Sequence, residues 1–470
     1  MEVRHYAGPM SQSEIRAADD SSAEEVGDYL DRLRPLQPLP PAMDERPTMI
    51  VSQELSHVVQ DGHGQLRYAE FEEEVREWQP PPPHSTQATW RYLRPDTSAA
   101  STSASTLQRE ERDEEAEEED VEPSSGPLPT DRYGFIQKLE EPSEKPGEET
   151  LSPVLVRKRE AKWLEMLSNW QYYMNNKYDK IRSRCRKGIP ASLRGRAWKV
   201  LSGAAFHQEN PGSGSCGVFE ELDALPGDPK WNEDIRKDLD RQFPEHELFA
   251  KSGPYGKSGQ NDLYRLLKAY TILHPEEGYC QGQAPVGAVL LMHMPLADAF
   301  YCFVQVCHKY VPGYYSAGLE HIQQDGRILQ ELLHIKLKPT YRHLKKHAVE
   351  PALYMIEWFM CIYCRSLPWS TVLRIWDMFF CEGVKVLFKV ALVLFKYTLG
   401  SKDQLKACPG LMETVERLRH LPAPVTTPAF LIPKMDEVSL MERDLEMVHH
   451  AVLRKEEKAR RKAAKAQRHR

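Results

Sequence analysis

Residues 384–400 read VKVLFKVALVLFKYTLG, and the fold turns on what that stretch is. It is the longest apolar run in the chain, close to the roughly 20 residues that a membrane-spanning helix needs. Lys385, Lys389 and Lys396 break it, so a helix buried in a protein core suits it better than a span in lipid. Around it, from about Leu155 to Leu421, aromatic and aliphatic residues recur at helical spacing. No alternation of period two runs long enough for a sheet. The expectation is an all-α unit, and no repeat period suggests a solenoid.

The rest of the chain has a different texture. With 470 residues there is room for about two or three domains, but hydrophobic content is 41% and there are 35 prolines, crowded into the first third. Pro-rich pieces such as PLQPLPPAM and WQPPPPH, the Ser/Thr stretch TSAASTSAST and the acidic block at 109–120 cannot bury enough apolar surface to offset ordering entropy. The expected organisation is a disordered arm over 1–150, an approach helix over 151–183, a helical domain over 184–421 and a C-terminal helix with a basic tail over 422–470. For the last helix, Ser439 and Glu442 have capping-box spacing, and Met441, Leu445, Val448 and Val452 form an apolar stripe. The net charge of −7 conceals opposite ends: nine acids and two arginines over 109–120, nine Lys or Arg and two acids over 454–470. Such runs are ordinarily solvated, and the basic one is a candidate for weak contact with an anionic membrane. The nine cysteines, all between Cys185 and Cys408, show no secreted framework, and MEVRHYAGPM has no apolar signal segment. A reduced, cytoplasmic setting is expected.

One stretch tempts a nucleotide reading. Residues 253–259 are GPYGKSG, but a phosphate-cradling loop needs a glycine where Lys251 stands, and a strand before it. A flexible glycine loop that spans a gap is the preferred reading. Cys361-x-x-Cys364 lacks a second pair and sits in the apolar EWFMCIYCRSL, so two small core residues on a helix are expected there. His343 and His347 lack a third ligand, and HELF at His246 lacks the second histidine of a zinc-protease motif.

The chemistry gathers elsewhere. In GDPKWNEDIRKDLDRQFPEH (227–246), Asp228 is an N-cap, Pro229 fits the first helical position, and Trp231, Ile235 and Leu239 are the expected buried face. Pro244 ends the helix close to Arg241, leaving a long guanidinium to reach past the helix end, with Asp238 one turn back to steer it. In HPEEGYCQGQAPVGAVLLMHM (274–294), Gly282 permits close backbone approach beside Gln281, whose carboxamide both donates and accepts. Upstream, RKGIPASLRGRAW (186–198) places Gly188, Pro190, Arg194 and Trp198 at a helix start; downstream, LPWSTVLRIWDMFFCEG (367–383) contains Trp376-Asp377. Taken singly, each has an ordinary structural reading: an ion pair on a wet helix face, a loop glutamine, packing.

In this order they resemble one family. Lys187-Gly188-Ile189-Pro190 with Arg194 and Trp198, Ile235-x-x-Asp238-x-x-Arg241, Tyr279-x-Gln281-Gly282 and Arg374-x-Trp376-Asp377 look like the motifs of TBC-domain Rab GTPase-activating proteins, over roughly 184–400. DRYGFI (131–136), RQFPEHELF and AYTILHPEEGYCQGQAP are most similar to the subgroup that contains carabin. Gln242 stands where many members have threonine, and Gln283 where methionine is common.

The resemblance implies a helical TBC domain that binds a GTP-bound Rab and accelerates its GTP hydrolysis in vesicle traffic. Arg241 would neutralise charge on the transferring phosphoryl group, and Gln281 would orient the attacking water. Asp238 would hold Arg241, with Tyr279, Gly282 and Ile235 in supporting positions; lysine at 241 should not substitute, lacking the planar fork. Magnesium and GTP would travel with the Rab, so no cofactor of this chain's own and no nucleic acid are expected. A non-catalytic Rab-binding or scaffold module is the alternative; intact Arg241 and Gln281 favour catalysis. PLQPLPP (35–41) is the best candidate for polyproline-reading domains, and the terminal AQRHR offers no apolar residue to a PDZ groove.

Overall fold

The computed structural model describes residues 59–60, 66–67, 129–137, 151–210, 218–251 and 253–467. The chain divides into two units, Met1–Glu122 and Pro123–Arg470. In the first, β1 (Val59–Gln60) pairs antiparallel with β2 (Leu66–Arg67). The rest of the expected arm, with its Pro-rich and acidic stretches, lies outside the described residues except for 129–137, which belong to the second unit.

The second unit is all-α. In chain order its helices are α1 (Pro153–Ser168), α2 (Trp170–Asn176), α3 (Tyr178–Arg186), α4 (Arg194–Ser202), α5 (Ala204–Glu209), α6 (Phe219–Ala224) and α7 (Pro229–Leu239). Then come α8 (Gly256–Leu273), α9 (Gln283–Leu291), α10 (Leu296–Gln305), α11 (Glu320–Lys336), α12 (Lys338–Lys346) and α13 (Ala352–Met355). The last group is α14 (Trp369–Glu382), α15 (Lys385–Leu399), α16 (Lys402–Lys406), α17 (Leu411–Arg419), α18 (Ala423–Thr426), α19 (Pro428–Asp436) and α20 (Glu442–Gln467). None of the described helices is long and apolar enough to cross a membrane.

The stretch that decides the fold is α15. Val386, Leu387, Phe388, Val390 and Leu394 are among its buried residues, and it packs against α14 and α19. Lys385 and Lys389 stay half-buried and Lys396 is exposed, so the three lysines mark the edge of a core helix. The site-bearing helices α7, α8 and α9 pack consecutively on one another, and α10 closes over α8 and α9.

Several elements differ from the sequence expectation. The approach helix is three helices broken at Asn169 and Lys177, and it is part of the core: Trp163, Met166, Tyr173 and Ile181 are buried. The 253–259 stretch is a tight turn over 253–255 that runs into the first turn of α8 at Gly256, rather than a flexible loop. A Cβ at Gly256 or Gly259 would lie 1.9 Å from the Ala250 or Leu248 carbonyl oxygen, so these glycines admit a close helix–backbone packing. Cys361 and Cys364 are buried, but in a turn rather than a helix, with Ile362 and Tyr363 at φ 46° and 60°. At the last helix the Ser439–Glu442 box does not form. The Asp444 carboxylate accepts the Met441 N–H at 2.8 Å, while the Ser439 carbonyl accepts Lys336 Nζ at 3.0 Å. Val448 and Val452 are buried against α11, and Lys455 pairs with Glu331 at 3.0 Å, so α20 is docked well past its stripe.

Candidate functional site

Helix α7 begins as its sequence requires: Asp228 Oδ1 accepts the Lys230 N–H at 2.8 Å and Pro229 occupies the first turn. Its buried side is rotated from the expected one. Asn232, Ile235 and Asp238 are buried, while Trp231 and Leu239 are half-buried. Trp231 lies over Gly278, where a Cβ would come within 2.3 Å of the indole, and Gly278 has φ +64°. Only glycine fits this turn, and the turn leads into Tyr279 and Gln281.

The rotation puts a carboxylate where a core residue would otherwise be. Asp238 is 7% exposed at its side chain, and Arg241, which it binds through Oδ1, is 59% exposed. The second oxygen, Oδ2, accepts the Tyr279 hydroxyl at 2.8 Å. Burial, reinforced by that bond, pushes the Tyr279 phenol well above its ordinary range, so it stays a donor at physiological pH. One carboxylate therefore joins Arg241, two residues past the end of α7, to the turn that carries Gln281. Gln281 is exposed, and the next residue is buried. A Cβ at Gly282 would meet Met360 Cε at 2.9 Å, so the glycine lets the turn sit on the 356–360 segment.

Gln283, where the resemblance led one to expect methionine, braces the same turn. It is fully buried, its Oε1 accepts the Cys280 N–H at 2.9 Å, and its N–H donates to the Cys280 carbonyl at 2.9 Å. Gln242, the other departure, is also buried. Its Nε2 donates to the Asp238 carbonyl at 2.8 Å and its Oε1 accepts Arg365 Nη2 at 2.6 Å. Arg365 Nη2 also lies 3.3 Å from the Arg241 carbonyl oxygen. Arg365 was not singled out from the sequence; its signal, a cation two residues before Leu367-Pro368, is too common to read alone.

The remaining motif residues gather in a second, buried cluster. Asp377 is fully buried and accepts the Ile189 N–H at 2.7 Å through Oδ2, and Trp198 Nε1 at 2.9 Å and Arg194 Nε at 3.2 Å through Oδ1. Arg194 in turn donates to the Ile189 carbonyl at 2.8 Å. Gly188, at φ +89°, lies under Arg374, which donates to the Arg186 carbonyl. Pro190 precedes the 3₁₀ turn that enters α4. A charge with this many donors and no exposure is a structural clasp between the 188–198 segment and α14, not a reactive group. Its link to the exposed site is Trp376, whose Nε1 donates to the Ile362 carbonyl at 3.1 Å and so fixes the turn that carries Arg365.

The tempting alternatives dissolve. Burial pushes Cys361 up to about 12 and raises Cys364 well above its ordinary range, so neither is a thiolate nucleophile. His343 is buried and Nε2 is 2.9 Å from Thr414 Oγ1. His246 is buried in an aromatic cluster.

Comparison with known proteins places the chain in a family. The Rab-GTPase-TBC domain model matches residues 191–404. TBC1 domain family member 10A of Mus musculus is 54% identical over 326 residues, 69% of this chain and 63% of that protein. TBC1 domain family member whacked of Drosophila melanogaster is 46% identical over 336 residues, 71% of this chain and 88% of that protein. Carabin of Mus musculus is 46% identical over 328 residues, 68% and 71% of the two chains. The chain thus spans a little under two thirds of the length of the first of these relatives. Taken with the Asp238 and Asp377 clusters, these likenesses make the chain a member of the Rab-GTPase-TBC domain family.

Proposed function

We propose that this chain is a GTPase-activating protein for one or more Rab GTPases, acting through Arg241 and Gln281 supplied in trans. The observation that carries the reading is the divided Asp238 carboxylate. One oxygen takes the Arg241 guanidinium and the other takes Tyr279, two residues before Gln281. An exposed arginine bound to a buried carboxylate, and an exposed glutamine two residues past the tyrosine on that same carboxylate, suit a site completed by a partner.

The chemistry follows from the side chains. Hydrolysis of GTP builds negative charge on the oxygens of the transferring phosphoryl group. A guanidinium oriented by Asp238 neutralises that charge, an effect of about 10³–10⁵ in rate for a finger of this kind. The Gln281 carboxamide accepts a hydrogen bond from the attacking water through its oxygen and presents a donor beside it, fixing the line of attack. GTP and its magnesium ion arrive with the Rab. The setting is then the cytoplasmic face of vesicle or plasma membranes, with peripheral association. The basic end of α20 is a candidate contact for anionic lipid, and the Pro-rich segment near 35–41 for polyproline-reading domains.

Single-turnover GTP hydrolysis by a panel of Rabs, with wild-type, Arg241→Ala and Gln281→Ala protein, tests the reading. Acceleration of at least one Rab that both substitutions abolish supports it. Binding of a GTP-loaded Rab with no acceleration would make the domain a non-catalytic reader or scaffold instead.

A further inference from the structure

Residues 129–137 lie outside the 191–404 family match and inside the expected arm, yet they dock on the segment that follows Arg241. The Asp131 carboxylate closes a tight turn, accepting the Tyr133 and Phe135 N–H groups at 2.8 and 3.0 Å, while Thr130 and Ile136 pair antiparallel. The turn then joins 245–247 by backbone: Ile136 N–H to the Glu245 carbonyl at 2.7 Å, and Glu247 N–H to the Gly134 carbonyl at 2.8 Å. His246 adds a side-chain tie. Its Nδ1 accepts the Leu248 N–H at 3.1 Å, so its Nε2 carries the proton and donates to the Tyr133 carbonyl at 2.9 Å.

Between this strap and the finger stands Phe243. It holds φ +42°, a conformation that bulky residues adopt only when their surroundings impose it. The surroundings are aromatic: Phe135 lies 6.5 Å from the Phe243 ring and 5.2 Å from Trp369, and Trp369 lies 5.6 Å from Phe243. On the other side Arg365 holds the Arg241 carbonyl and Gln242. The backbone between Arg241 and His246 is thus fixed from both flanks, and one flank is the strap.

We infer that the 129–137 strap is a positioning device for Arg241, with Phe135 and Asp131 as its positioning residues, so that the working unit begins upstream of the family match. This rests on the Rab-directed reading above. Nothing in the strap touches the guanidinium; it acts by holding Phe243 and His246, and through them the exit angle of the finger.

The test uses the full chain in three variants: Phe135→Ala, Asp131→Ala and Asp131→Asn, with Arg241→Ala as the control. Against an accelerated Rab, the two alanine variants should lower the saturating single-turnover rate by about 10- to 100-fold, since small misplacements of a catalytic group cost that much. The half-saturating concentration should stay within about twofold. Asp131→Asn keeps an acceptor for both N–H groups and should restore the rate. Hydrogen exchange supplies a readout independent of activity: amides 241–248 should exchange faster in both alanine variants, while 189–198 stay as in wild type. A wild-type rate with wild-type exchange would overturn the inference, and so would a loss confined to half-saturation, which would make the strap a Rab contact. If wild type accelerates no Rab, the functional reading fails and exchange alone decides the strap. If Phe135→Ala does not fold, the Asp131 pair decides it.

Discussion

Replacing Asp238 with asparagine removes one charge from behind Arg241 and turns an amide donor toward it. Asparagine can still accept the Tyr279 hydroxyl through its oxygen, and doing so aims its NH₂ at the guanidinium, donor against donor. A charge-assisted bond contributes about 1.5–3 kcal/mol when shielded. Here Asp238 is 7% exposed but Arg241 is 59% exposed, and solvent screening brings such a pair to about 1 kcal/mol or less. At about 1.4 kcal/mol per tenfold in rate, Asp238→Asn should slow saturating GTP hydrolysis on a responsive Rab by roughly 5-fold or less. Arg241→Ala should cost about 10³-fold or more. Asp238→Ala differs in kind. It takes the acceptor from the half-buried Tyr279 hydroxyl, a cost of about 1 kcal/mol, and a domain of this size loses roughly 2–4 °C of melting temperature per kcal/mol. The two variants should therefore separate: the asparagine variant slower with a near-normal Tm, the alanine variant slower and less stable. Single-turnover kinetics beside scanning calorimetry reads both. An Asp238→Asn protein as inactive as Arg241→Ala would refute the reasoning, since orientation alone could not account for it; so would an alanine variant with the wild-type Tm.

Three further outcomes follow from the same structure. Gln283→Met loses the bond to the Cys280 N–H but also removes a buried Nε2 that has no hydrogen-bond partner among the described residues; stability by urea melt should change by no more than about 1 kcal/mol. Gly188→Ala places a Cβ 3.0 Å from Arg374 Nε at φ +89°, so the urea midpoint should drop by an amount worth about 1–3 kcal/mol, with hydrolysis by the folded fraction unaltered. His293 is held down to about 3 by burial. The unfolded chain, with an ordinary histidine pKa of about 6.5, takes up a proton that the folded domain refuses. Stability from this group is therefore complete above about pH 6.5 and is lost as pH falls toward 3, by about 2 kcal/mol at pH 5. His293→Phe should flatten that acid limb in melts from pH 7 to 5, and an unchanged slope would show that His293 is not the group responsible.

What was legible in the sequence was local. The Asp228 cap, the i,i+3 pairing of Asp238 with Arg241 and the core role of 384–400 each depend on neighbours a few positions away, and each stands as read. The buried face of α7 was misjudged because hydrophobicity ranks Trp231 and Leu239 inside and Asp238 outside. Nothing within the helix says that a tyrosine 41 residues on will satisfy the carboxylate. The glycines of 253–259 were mistaken for flexibility for a similar reason: a glycine needed for close approach and one needed for freedom look alike until the opposing carbonyl is known. Distance along the chain sorts the rest. Arg365 meets Gln242 across 123 positions, and His246 meets Tyr133 across 113. No periodicity or spacing rule links such pairs. On the proposed reading, the motifs name the groups that do the chemistry, while the aim of Arg241 is set by side chains from three remote segments. A finger's contribution depends on where its charge lies relative to the phosphoryl oxygens, so the residues that sequence reading passes over most easily are the ones on which the size of the rate effect depends.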